Sequence, residues 1–286
     1  GVPINIVIPD HKAELFETNS YYNLHITASP SKIREEDRTP FRFMICGEDL
    51  VDVSKNKVED PYKRLVDRSF YKHNSPSSNT SLANLLEEVG QNMYDSKDRM
   101  FFELLQNADD ASAQQGVKVI LQSVDGYLLL SHDGMPFDRK DYVSITSAAR
   151  STKGGKKAKT GYKGIGFKSV FTNSTKVYIK TGGLSFVFDK NAPIFSSFED
   201  FYFKVNEIST PDMQKQFLED NKEEREEFKG VDSIPWQLLP FWNQTIPAEL
   251  QKTIFEMRSN VCIALAMTEN NISAYKDAIL DVLGDA

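Results

Sequence analysis

Apolar and polar positions repeat along this chain with two periods, and the switches between them mark its elements. Short alternating runs at residues 4–8, 21–27 and 41–46 predict strands, separated by polar segments that contain Pro9, Pro30 and Pro40. Residues 71–80 read as a polar linker ending at a helix N-cap, Thr80 or Ser81, with an amphipathic helix over 82–94. Residues 95–98 break that pattern and cap a second helix carrying FFELLQNADDA at 101–111. Period-two runs at 117–122 and 127–131 meet at Asp125-Gly126, a hairpin signal, and a second hairpin over 176–180 and 184–189 turns at Gly182-Gly183. Helical spacing predicts helices over 138–149, 249–258 and 274–283, and one highly charged helix over 211–229. The run at 261–268 is apolar throughout and predicts a buried strand.

The helix at 101–111 has two faces. Glu103, Asn107 and Asp110 stand at i, i+4 and i+7, which gathers a carboxylate, an amide and a second carboxylate into one stripe. Phe101, Leu104, Leu105, Ala108 and Ala111 are expected on the opposite side, against a sheet. Such a helix presents oxygens to a ligand.

Composition narrows the partners. With 34 Lys plus Arg against 41 Asp plus Glu, the formal charge is −7 and the sequence pI about 5.3, which argues against a protein that coats nucleic acid over its whole surface. Charge is nevertheless uneven: from Arg150 to Lys168 there are seven basic residues and no acidic ones. Cys46 and Cys262 match no metal-ligand or redox spacing. There is no signal-peptide pattern at the start and no apolar run long enough for a membrane span, so the expectation is a soluble, cytoplasmic protein. Two domains are expected, an appendage and linker over 1–75 and a larger domain over 76–286. The chain stops without an evident closing element, as a fragment of something longer would.

The second constellation is GYKGIGFKSVF at 161–171. Gly161, Gly164 and Gly166 let backbone amides approach a ligand, and the apolar residues after them predict a helix start, so amides and helix dipole converge on an anion. The spacing is neither that of a Walker-type loop nor that of a dinucleotide fingerprint. Between the two constellations lies His132-Asp133-Gly134-Met135-Pro136-Phe137, a D-G turn leaving a strand.

In order, ELLQNADDA, DGMPF and GYKGIGFKSVF resemble the three nucleotide motifs of the GHKL ATPases, the superfamily of gyrase, the heat-shock chaperone, histidine kinases and MutL, and most closely its sacsin-like branch. The resemblance covers roughly residues 80–190. It implies the α+β Bergerat fold: two layers, a mixed and largely antiparallel sheet with helices on one face, here with an N-terminal β-containing appendage. It also implies binding of ATP or ADP with Mg²⁺ and slow ATP hydrolysis. Asn107 falls where the family's asparagine ligates Mg²⁺, which suits a hard ion that takes an amide oxygen plus waters. Glu103 falls at the general base that polarises the attacking water. Asp110 either lines the nucleotide pocket or holds the following loop.

The second motif departs from the family pattern D-x-G-x-G. With Gly134 aligned to the first glycine, His132 occupies the position of the adenine-binding aspartate, Asp133 stands one residue late and Pro136 replaces the second glycine. Either Asp133 or His132 then contacts the base, or adenine selection is looser. Residues 147–163 fall where the family places its mobile lid, with Ser151, Thr152 and Lys153 as phosphate contacts and Lys156, Lys157 and Lys159 as a solvated loop. Gly161, Tyr162, Lys163, Gly164, Ile165, Gly166 and Phe167 correspond to the phosphate cradle, with Phe167 packed beneath it. The family's output is lid closure that drives homodimerisation or rearrangement of a larger chaperone-like or regulatory protein. Two alternatives are a nucleotide-binding structural module without turnover and a MORC- or MutL-like ATPase associated with nucleic acid.

Overall fold

A computed structural model of the chain describes residues 5–7, 22–26, 44–46, 50–55, 61–92, 98–112, 116–148, 166–242, 246–257 and 259–284. The chain divides into two compact units, Gly1–Pro61 and Tyr62–Ala286, where the sequence placed the division near residue 75. The first unit contains β1 (Asn5–Val7) parallel to β3 (Met44–Cys46), and β2 (Tyr22–Ile26) antiparallel to β4 (Leu50–Lys55). The fourth of these strands has no counterpart in the sequence reading.

In the second unit, helix α1 (Pro61–Asp67) precedes α2 (Pro76–Asn92) and α3 (Asp98–Asp110). Helix α2 starts earlier than its expected cap because Thr80 and Ser81 are interior: their hydroxyls donate back to the carbonyls of Pro76 and Ser77. Pro76 opens the helix instead, where its missing N–H costs nothing.

Two hairpins follow as their turns dictate. Strands β5 (Val119–Val124) and β6 (Tyr127–His132) join through Asp125 and Gly126, both left-handed with φ of 46° and 76°. That pair of positive angles is the turn whose twist matches the strands. Strands β7 (Lys176–Thr181) and β8 (Leu184–Asp189) turn at Gly182, φ 54°. Between the hairpins lie α4 (Arg139–Ile145) and, after a 3₁₀ turn at Gly166–Ser169, the short α5 (Val170–Asn173). Then come α6 (Phe198–Val205), α7 (Pro211–Asp220), α8 (Lys222–Glu226), β9 (Phe241–Trp242), α9 (Ala248–Met257), β10 (Val261–Ala266) and α10 (Glu269–Gly284). The expected single charged helix is two, broken at Asn221, whose side-chain amide donates to the carbonyl of Phe217.

The six strands form one sheet in the order β5-β6-β10-β7-β8-β9, and every pairing is antiparallel. The architecture is therefore α+β with a wholly antiparallel sheet rather than a mixed one. Side chains alternate between two buried faces. Leu128, Leu130, Ile179, Phe186, Phe188 and Ile263 enter the large core with α3, α4 and α6; Leu129, Tyr178, Val187, Cys262 and Ala264 pack on Leu250 and Ile254 of α9. Helices thus cover both faces, contrary to the one-sided expectation, and this is why VCIALA reads apolar throughout: β10 lies inside the sheet with both its faces covered.

Candidate functional site

Helix α3 presents three faces rather than two. Met100, Phe101, Leu104 and Ala108 are buried, Phe102, Gln106 and Asp109 are exposed, and Glu103, Asn107 and Asp110 lie between them, half-buried. The polar stripe therefore adjoins the buried face instead of opposing it, so its side chains meet the edge of the core. There Asn107 and Asp110 border a cavity of about 190 Å³. Its walls are Leu104, Asn107 and Asp110 of α3 and Ala111 just after it, His132 at the end of β6, the loop Met135 to Asp138, three residues of α4, and Phe167 and Ile263.

The loop from 134 to 138 is held at each step. Gly134 N–H donates to His132 Nδ1 at 3.2 Å, Met135 N–H to the carbonyl of Ala111 at 2.8 Å, and Phe137 N–H to Thr181 Oγ1 at 2.8 Å. Asp138 then caps α4: its Oδ1 accepts from the amides of Lys140 and Asp141, while Asp141 Oδ2 accepts from the amide of Asp138. That reciprocal box needs a side-chain acceptor at each end, and D-R-K-D supplies both. Gly134 has no room for a side chain, since a Cβ there would lie 2.9 Å from His132 Nδ1 and 3.0 Å from the carbonyl of Ala111.

Each sequence-predicted position can be located or falls outside the described residues. Asn107, Asp110, His132 and Phe167 line the cavity. Glu103 is not among its lining residues; its carboxylate packs directly on Gly166, whose Cα is 3₁₀ backbone at the end of the glycine-rich stretch. Asp133 is exposed, and its Oδ1 accepts from the amide of Lys118 at 2.8 Å, which turns it toward β5 and away from the cavity. Ser151, Thr152, Lys153, Gly161, Tyr162, Lys163, Gly164 and Ile165 lie outside the described residues. The helix expected after the glycines is only the 3₁₀ turn and one turn of α5, too short for a substantial dipole.

Sequence reasoning missed several cavity residues. Asp138 and Asp141 were readable as a capping pair just after the D-G turn, whereas Ser144, Ile145 and Ile263 come together only in three dimensions. It also missed Lys168. This lysine sits in the basic run yet is 5 % exposed, its ammonium donating to the carbonyls of Ile145 and, at 3.0 Å, Gln237, close to the rings of Phe171 and Phe188. Burial without a carboxylate partner lowers its pKa to about 7. Burial likewise lowers His132, with Asp133 acting weakly the other way.

The donor set of the cavity is all oxygen and nitrogen: the Asp110 carboxylate and Asn107 amide on α3, the His132 imidazole on β6, the Asp138 and Asp141 carboxylates at the start of α4 and the Ser144 hydroxyl, with the Glu103 carboxylate set apart on Gly166. Among the described residues, no three His, Cys, Asp or Glu side chains gather tightly enough to hold a metal ion by themselves. Nor is any described helix long and apolar enough to cross a membrane.

No family model matches the chain. Part of it is similar to two large curated proteins. It is 32 % identical over 111 residues to Protein NO VEIN of Arabidopsis thaliana, covering 38 % of this chain and 4 % of that protein. It is 34 % identical over 116 residues to Sacsin of Homo sapiens, covering 35 % of this chain and 2 % of that protein. The chain therefore spans only a small part of the length of these relatives.

Proposed function

We propose that the cavity binds ATP together with Mg²⁺ and that the chain hydrolyses it slowly, as a nucleotide-binding unit of the Bergerat type. One observation carries this reading. The fold gathers Asn107 and Asp110 of α3, His132, Met135, Pro136 and Phe137 of the turn, and Phe167 of the glycine-rich segment around one concave site, and seats the Glu103 carboxylate on Gly166. The partial similarity to Sacsin and to NO VEIN points the same way.

In this reading the apolar slot between Leu104, Phe137, Ile145 and Phe167 takes the base, and the phosphates extend along α3 toward Gly166. Asn107 offers its amide oxygen to the ion, the kind of single protein ligand that Mg²⁺ accepts when phosphates and waters complete its shell. The bound ion supplies charge neutralisation at the phosphates. Glu103, one turn before Asn107 on the same face, orients the attacking water and takes its proton. Its carboxylate rests on Gly166, the last glycine of the glycine-rich stretch, which supports this role. Closure of the lid expected at 147–163 changes contacts elsewhere in a larger protein, a nucleotide-dependent homodimer or a chaperone-like assembly among them. The protein acts in the cytoplasm.

The test is calorimetric titration with Mg-ATP beside single-turnover phosphate release, for the wild type, Glu103→Gln and Asn107→Ala. Glu103→Gln is expected to keep ATP affinity within about threefold and lose roughly 10²–10⁴-fold in turnover. Unchanged turnover in that variant overturns the catalytic assignment.

A further inference from the structure

Nucleotide pockets commonly read a base by hydrogen bonding, and among the polar side chains that line the cavity His132 has its hydrogen-bonding sense set by the backbone beside it. Along β6, Leu128 and Leu130 face the layer of α3, whereas Leu129 and Ser131 face α9. By the same alternation His132 points to the α3 side, where it lines the cavity while only 2 % exposed. Its Nδ1 accepts the amide proton of Gly134. A ring nitrogen that accepts carries no hydrogen, so the neutral ring bears its proton on Nε2, which has no hydrogen-bond partner among the described residues. Burial keeps the ring neutral at pH 7.

Three carboxylates line the cavity with His132: Asp110 on α3, and Asp138 and Asp141 at the start of α4. Asp133 accepts from the amide of Lys118 and is exposed, while Asp138 and Asp141 close the capping box of α4. We propose that His132 is the base-reading residue of this cavity and that it reads as a donor, from Nε2–H to an unprotonated ring nitrogen of a purine. This rests on the nucleotide reading above and sharpens its substrate class. A donor recognises a ring acceptor and is indifferent to an exocyclic amine. The site therefore selects the purine ring and not the 6-amino group that distinguishes adenine.

The experiment compares ATP with purine riboside 5′-triphosphate, which lacks that amine, by calorimetry with Mg²⁺ on the full chain and on His132→Asp. Wild type is expected to bind the two within about threefold, and His132→Asp, an acceptor in the same place, to favour ATP by about tenfold or more. A long-range ¹H–¹⁵N spectrum of the wild type supplies a readout independent of any variant, with the Nε2-protonated tautomer expected at His132. The inference fails if wild type loses tenfold or more when the amine is removed, if His132→Asp folds and leaves the ratio unchanged, or if the proton is on Nδ1. A tight but amine-dependent site removes this inference alone. Absence of binding by both triphosphates removes the nucleotide reading as well.

Discussion

A methyl group added at Gly166 tests how closely the cradle and the acid stripe depend on each other. A Cβ there would overlap Oε2 of Glu103 and lie 2.6 Å from its Cδ and 3.2 Å from Oε1, against about 3.5–4.0 Å for ordinary contact. All three obstructing atoms belong to the end of one flexible side chain. Gly166 is also not among the glycines at positive φ, so alanine suits its backbone. Relief requires only that Glu103 rotate out of its rotamer, at about 0.5–1.5 kcal/mol, while the stiffer unfolded chain returns about 0.4–1 kcal/mol. Stability should thus change by less than about 1 kcal/mol. With Glu103 in its proposed role turnover should not be spared, because moving a reacting group by about an ångström costs on the order of 10²-fold. Urea denaturation and single-turnover phosphate release on Gly166→Ala separate the two effects. Full turnover would show that the seating of Glu103 is irrelevant to chemistry, and a loss above about 3 kcal/mol would show that backbone, not the carboxylate, fills the space.

Gly134→Ala meets the carbonyl and Cβ of Ala111, which cannot swing aside, so it should lose about 1–3 kcal/mol in a urea midpoint comparison. Lys168 binds its proton more weakly folded, at about 7, than unfolded, at about 10.5, so the unfolded state holds more protons across that window and stability rises with pH from about 7 to 10.5. Lys168→Met should flatten that slope in denaturation profiles taken at several pH values. His73 and His132 both have pKa values lowered by burial, so their contribution is complete above about 6.5 and is lost as acidification passes below it. Thermal melts should show that acid limb shrinking in His132→Asn.

Local chemistry made much of this fold legible. Asp125-Gly126 and Gly182 announce their hairpins because only residues tolerant of positive φ close such turns. The acid-and-amide stripe of α3 is visible because it repeats at helical spacing. What sequence could not show depends on distant partners. Strand β10, more than a hundred residues beyond β6, lies between β6 and β7, and nothing in VCIALA names those neighbours. Helix α6 escaped notice although Phe198, Phe201 and Tyr202 are all buried, since an aromatic run reads equally well as a strand. Lys168 escaped because a lysine in a basic run is ordinarily solvated. Its burial depends on carbonyls at Ile145 and Gln237, the latter 69 residues away.

The most direct test of the central claim is to follow the cavity's own methyl groups. Met135, more than half exposed at the rim, and Ile145 and Ile263, buried in the wall, can be labelled with ¹³C and titrated with Mg-ATP. A nucleotide site predicts saturable shifts at all three methyls, abolished or weakened about tenfold or more in Asn107→Ala. Unmoved methyls at millimolar Mg-ATP would contradict it.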